Sequence, residues 1–264
     1  NTPEVAAPTN TTAPTETASV SPTTAASATP AATATAVKPT NIPVDTSKRT
    51  GASAVAKYFS TAPTIDGDWG EWDHTQYPAN AIVYGASNWK NDADLRPSFQ
   101  VGWDNTYLYV GVKVYDDVYA ATGSGANIYK GDDVEIQIDT NVSGDYFTAS
   151  VNNDDFQLGV MPGKETAGSG TEAYLWLPNG KAGSRTDIKI GARRDNTELI
   201  TRYEIAIPWT VFGVTPANGM HLGFALSVSD NDNTGTAQQQ TMMSSISTRT
   251  LLDPTTWGDL TLSK

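Results

Sequence analysis

Between residues 106 and 117 the sequence reads TYLYVGVKVYDD, and its apolar residues recur at every second position. Leu108, Val110, Val112 and Val114 share one side of an extended chain; Tyr107, Tyr109, Gly111 and Lys113 share the other. A period of two marks a half-buried strand, because successive side chains point to opposite faces. The run SFQVGW at 98–103 precedes it across Asp104 and Asn105, which predicts a hairpin. DVEIQID at 133–139 repeats the pattern, with Val134, Ile136 and Ile138 inward and Glu135 and Gln137 on the opposite side. Further strands are expected at 146–151, 156–160, 173–177, 187–194, 199–207, 221–229 and 257–262. Helical periodicity is nearly absent. The exception is IPWTVFG at 207–213, where Pro208 suits the first position of one helical turn and Gly213 its end. Many short strands separated by Gly, Asn and Asp turns predict an all-β fold, an antiparallel β-sandwich of jelly-roll-like form.

The amino terminus has a different composition. Residues 1–40 contain 12 Thr, 11 Ala and 6 Pro, no aromatic residue, and only Glu4, Glu16 and Lys38 as charges. Such a segment has too little apolar surface to offset its ordering entropy. Residues 1–50 are therefore expected to form an extended tail or linker, and 51–264 the sandwich. GASAVAKYFS at 51–60 reads as a short apolar bridge into it. Thr/Pro/Ala-rich tails resemble O-glycosylated surface stalks. With a first residue other than Met, this suggests a processed, secreted product. Asn10 and Asn141 stand in N-glycosylation sequons. No apolar run reaches the length of a membrane span.

The formal net charge of -12 argues against a nucleic-acid partner, since nothing displaces phosphate counterions. There is no cysteine, and His74 and His221 are the only histidines, which disfavours zinc. No nucleophile elbow, phosphate loop or H-E-x-x-H motif occurs. Asp132, Asp133 and Glu135 crowd the start of one strand, where they read either as a catalytic carboxylate set or as a solvated strand end. Without a positioned nucleophile or base, no enzyme is expected. Met161, Met220, His74 and His221 show no spacing that suits heme ligation. Calcium takes six to eight oxygens, which loops dense in Asp and Asn supply. The candidates are Asp116 and Asp117 in YDD, and Asp230, Asp232 and Asn233 in SDNDNTG; NNDD adds Asp154 and Asp155. Each also reads as a polar turn. Of the seven Trp, Trp72, Trp103 and Trp209 are expected in the core, and Trp89, Trp176 and Trp257 at the surface.

PTIDGDWGEWD, WDNTYLYVGVKVYDD, GDDVEIQID, YEIAIPWTVFG, LGFALSVSDND and WGDLTL occur in that order. Together they resemble carbohydrate-binding module family 9 over residues 62–262. The resemblance implies a β-sandwich with structural calcium, and a sugar end stacked between two aromatic rings. Tyr129 matches the ring before the D-x-V-E strand, Trp257 the ring near the last strand, and Glu135 the polar contact. The family's arginine, in an F-R-V-N-like strand, aligns with TASVN, where Ser150 takes its place. A short hydroxyl does not reach what a guanidinium fork reaches.

Two functions follow as expectations. The first is a non-catalytic extracellular structural subunit of a cell-surface filament, its tail docked on neighbouring copies. At about 3.1 Å per residue, some 40 extended residues reach on the order of 120 Å. Strand addition or threading of this kind gives an open homo-oligomer unless it closes into a ring. The alternative is a secreted carbohydrate-binding module that stacks a polysaccharide on aromatic side chains.

Overall fold

The computed structural model describes residues 43–264. Most of the predicted tail, with Asn10, lies outside the described residues. In chain order the strands are β1 (Ser53–Tyr58), β2 (Tyr77–Pro78), β3 (Ala81–Tyr84), β4 (Leu95–Trp103), β5 (Tyr107–Asp116), β6 (Asp133–Asp139), β7 (Asp155–Met161), β8 (Glu172–Leu177), β9 (Gly183–Ser184), β10 (Lys189–Asp195), β11 (Ile200–Pro208), β12 (His221–Asp230), β13 (Thr241–Ser244) and β14 (Gly258–Ser263). Two four-residue helices, α1 (Val142–Asp145) and α2 (Trp209–Phe212), interrupt them.

The strands form one continuous sheet in the order β10-β11-β5-β4-β1-β14-β12-β6-β7-β8-β9, with β13 beside β12, β3 beside β13, and β2 beside β4. The sheet curls into a β-sandwich. Val110, Val112, Ile205 and Ile207 from one half share a buried core with Val134, Ile136, Leu158 and Leu226 from the other. Phe99 of β4 and Phe224 of β12 meet across it, ring centroids 5.8 Å apart. The inward residues are those that the period-two pattern picks out.

The hairpin forms as its turn chemistry requires. Asp104 Oδ1 accepts from the backbone N–H groups of Thr106 and Tyr107. The helical turn forms too, with Pro208 one position ahead of it and Gly213 in the left-handed region at φ 72°. Two expectations need correction. Residues 51–60 are not a bridge: β1 joins the two halves, pairing in parallel with both β14 and β4. Its buried residues are Ala54 and Ala56, too small to raise the apolar signal of a strand. Residues 146–151 are not a strand. Asn152 and Asp155 close turns there, the backbone N–H of Asn152 donating to Asp155 Oδ2 and that of Asp154 to Asn152 Oδ1. Such local side-chain bonds compete with a ladder, and Phe147 is 75% exposed. Ser150 is thus exposed and outside any strand.

Trp72, Trp103 and Trp209 are buried as expected, and Trp89 and Trp176 are half-buried. Trp257 corrects the remaining expectation. It is 1% exposed, packs with Ala225 and Ile246, and donates Nε1–H to Thr250 O at 3.1 Å. A ring buried on both faces offers no platform to a sugar.

Candidate functional site

The outward residues of β6 set the site. Strand alternation places Asp133, Glu135 and Gln137 on the side opposite the core. The ladder puts Gly159 and Gln157 of β7 directly across from Glu135 and Gln137, and Ser227 of β12 on the other flank of Glu135. Gln157 Nε2 donates to Glu135 Oε2 at 2.9 Å. Arg249, from the segment between β13 and β14, donates Nη2–H to the same oxygen at 3.3 Å and Nε–H to Gln137 Oε1 at 2.6 Å. Gln137 Nε2 returns a bond to Leu251 O at 3.0 Å, so one glutamine fixes the loop that carries the arginine. A guanidinium therefore does stand in this site. It arrives from the loop before the last strand, and the β7 position in contact with Glu135 is Gln157.

Two aromatic rings form one wall. Tyr129 lies in the 3-10 turn Gly125–Lys130 that leads into β6, and Trp176 lies on β8. Their ring centroids are 6.2 Å apart with planes at 70°. Trp176 Nε1–H donates to Ala126 O at 3.0 Å, which fixes the indole edge. The indole rests over Gly159, where an added Cβ would come within 2.3 Å of it. Gly159→Ala is expected to lift Trp176 out of place and to destabilise the fold by about 1–3 kcal/mol through overpacking. A thermal melt and the near-ultraviolet dichroism of the indole check this. Leu251, Leu252 and Tyr84 line the same cleft, of about 650 Å³, and Leu252 is 52% exposed. Exposed leucines beside aromatic rings give the cleft an apolar rim around a polar floor.

Glu135 and Arg249 form an ion pair on this floor. Asp133 is fully buried and neither of its oxygens has a hydrogen-bond partner. Burial, and then the charge of Glu135, hold Asp133 well above the usual carboxylate range. Burial pushes Glu135 up as well, against the pull of Arg249 and Gln157. Arg249 Nη2 stands 3.3 Å from Glu135 Oε2 as its counter-charge. Asp132 does not join them: its carboxylate accepts from Ala120 N and Asn231 N. The three crowded acids thus divide between two places.

The predicted calcium residues are partly brought together. Carboxylate oxygens of Asp94, Asp117 and Asp232 lie within 4.8 Å of one another, at the start of β4 and just past the ends of β5 and β12. Asp116 and Asp230 adjoin them and are buried. Burial pushes Asp116 up to about 7, against Arg194 at 3.2 Å. Burial, then Asp116, Asp232 and Asp94, push Asp230 up to about 8. Lys90 Nζ stands 3.0 Å from Asp94 Oδ1 and 2.7 Å from Asp232 Oδ2. Asp230 Oδ1 and Asp232 Oδ1 are buried without a hydrogen bond. Asn233 closes its own turn, its Oδ1 accepting from Gly235 N. Asp94 was not anticipated, because NDAD at 91–94 reads as an ordinary polar turn. Asn141 is exposed at the start of α1.

Residues 65–264 match the model of the family described as carbohydrate family 9 binding domain-like. The chain is 30% identical over 214 residues to endo-1,4-beta-xylanase A of Thermotoga maritima; the match takes in 80% of this chain and 18% of that protein. The chain thus spans less than a fifth of that relative's length. Among solved structures, it resembles a family 9 carbohydrate binding module from Caldicellulosiruptor kristjanssonii in complex with cellotriose, with a TM-score of 0.61 at 21% identity, over 80% of this chain and 94% of that one. The same source's module in complex with glucose gives a TM-score of 0.59 at 21% identity, over 80% and 96%. These likenesses corroborate the fold.

Proposed function

Because the chain belongs to the carbohydrate family 9 binding domain-like family, we propose that its cleft binds a neutral β-1,4-linked glycan and performs no reaction on it. The observation that carries this reading is the pairing of an aromatic wall, Tyr129 and Trp176, with a polar floor of Glu135, Arg249 and Gln157. The apolar face of a pyranose ring packs against aromatic carbons. Its equatorial hydroxyls can donate to the carboxylate and accept from the amide N–H and the guanidinium. A neutral sugar suits a floor whose carboxylate Glu135 is already paired with Arg249. Cellotriose and glucose in the solved relatives, and the xylanase relative, support a glucan or xylan as ligand.

The test is affinity electrophoresis in gels containing soluble β-glucan or xylan. The parent chain is expected to be retarded. Tyr129→Ala and Trp176→Ala should each lose most of that retardation, as about 1–3 kcal/mol per stacked ring implies. Equal retardation of parent and variants refutes the assignment.

Asp94, Asp117 and Asp232 are assigned as a calcium site within the same reading. An all-oxygen donor set with orphaned buried oxygens suits a hard cation. The ion would displace Lys90 and tie three strand ends together. The module is proposed to work outside the cell, as an appendage that holds a polysaccharide. The filament reading rests on the tail at 1–50, most of which lies outside the described residues, and the cleft favours the glycan reading over it. Among the described residues no helix is long and apolar enough to cross a membrane.

A further inference from the structure

We propose that Asn179, which lines the cleft, is a self-modification site: its side-chain amide is lost by cyclisation onto Gly180, which leaves a carboxylate in the cleft and weakens glycan binding. Asn179 lines the cleft together with Trp176 and Tyr129. It follows β8, the strand that carries Trp176, and opens the 3-10 turn Asn179–Lys181. Asn179 and Gly180 are both exposed.

The reaction needs a free backbone nitrogen next to an asparagine side chain. Gly180 N attacks Asn179 Cγ and gives its proton to solvent base. The N–Cγ bond forms, the Cγ–Nδ2 bond breaks, and Nδ2 takes up a proton and leaves as ammonia, closing a succinimide ring. Water then opens the ring at either carbonyl. The products are aspartate and isoaspartate, in which the backbone runs through Cγ. Glycine as the second residue leaves the approach uncrowded, because it has no Cβ.

Asn-Gly occurs at two places in the sequence, 179–180 and 218–219, and the fold treats them differently. Gly219 N donates to Leu262 O at 2.7 Å, and Asn218 Oδ1 accepts from Lys264 N at 2.7 Å, so nucleophile and side chain are both held. Asp66-Gly67 could cyclise by the same chemistry, but Gly67 N is tied to Glu204 Oε2 at 2.8 Å. Gly180 N and the Asn179 side chain have no hydrogen-bond partner among the described residues. The turn around them rests on two bonds, from Lys181 N to Pro178 O at 2.8 Å and from Ala182 N to Asn179 O at 3.3 Å. So short a turn opens locally at low cost, and opening brings Gly180 N to Cγ. Conversion then removes an amide donor from the cleft. Isoaspartate also lengthens the backbone just after Trp176. The effect on binding rests on the glycan reading; the cyclisation does not.

The experiment ages the full chain at mildly alkaline pH and body temperature. Peptide mass spectrometry and affinity electrophoresis in a β-glucan gel are read on the same samples. Amide-to-acid conversion is expected several-fold sooner at Asn179 than at Asn218, with isoaspartate among the products. Gly180→Ala should nearly stop it at 179; the added Cβ meets no atom within 4 Å, so the variant keeps the fold. Retardation should fall as the parent ages and hold in aged Gly180→Ala. Equal conversion at Asn218 and Asn179, or conversion unaffected by Gly180→Ala, overturns the site. Unchanged retardation of fully converted chain overturns its effect on binding. A fresh chain that is not retarded refutes the glycan reading instead, and the mass readout decides the cyclisation without it.

Discussion

Replacing Arg249 by alanine is expected to abolish glycan binding and to lower the unfolding free energy by roughly 3–5 kcal/mol, as removal of one partner of a buried ion pair does. The Arg249 and Glu135 side chains are only 8% and 5% exposed. Without the guanidinium, Glu135 keeps one partner, Gln157, and Gln137 Oε1 loses its donor. The loop at 245–257 then loses part of its anchorage, and Leu251 and Leu252 move with it. Arg249→Met combined with Glu135→Gln separates the two effects. The double substitution removes the stranded charge, so stability should recover in large part while binding stays lost. Denaturant melts and a glycan titration read the two quantities separately. An Arg249→Ala chain that binds glycan like the parent would remove Arg249 from the site.

In chelator, the melting temperature is expected to fall as pH rises from about 5 to about 8, by on the order of 10 °C. Asp116 and Asp155 are pushed up to about 7 and Asp230 to about 8, in each case first by burial. A carboxyl whose folded value lies above its unfolded value, near 3.8, binds its proton more tightly in the folded chain. It therefore favours the fold at low pH, and that contribution is lost as pH rises through the folded value. The window runs from the unfolded value to about 8, where Asp230 ionises. Calcium reverses the sign, because it binds the ionised carboxylates and only in the folded state. With excess calcium the melting temperature should hold level or rise over the same range. A chelated chain that is equally stable at both ends of the range, or more stable at the high end, contradicts these carboxyl environments.

Much of the fold was legible because the core strands carry period-two patterns that survive burial. Val134, Ile136 and Ile138 are all fully buried, and Leu108 to Val114 line the facing half. What escaped was set by distance along the chain or by small residues. β1 hides because alanine, rather than a branched residue, fills its two core positions. Trp257 sits beside surface-like Gly, Asp and Thr residues, yet Ala225 and Ile246 enclose it. Tyr129 and Glu135 were found through the family resemblance, and the cleft brings them together. Trp176 was expected at the surface, but its place over Gly159 depends on the β7–β8 register. Arg249 gave no local signal. Its bonds to Glu135 and Gln137 span 114 and 112 residues, and only the folded loop makes them. The acids divided by partner rather than by position: Asp132 turns to backbone amides while Asp133, its neighbour, stays in the outward row with Glu135.

Calorimetric titration of the full chain with cellotriose tests the glycan site most directly. Saturable binding at one site is expected, lost in Trp176→Ala and in Tyr129→Ala. Trp69→Ala should leave it unchanged, since that half-buried ring packs near Trp72 over the β5–β11 half of the sandwich. Binding that survives both cleft substitutions, or that disappears with Trp69→Ala alone, would place the glycan elsewhere and contradict the cleft assignment.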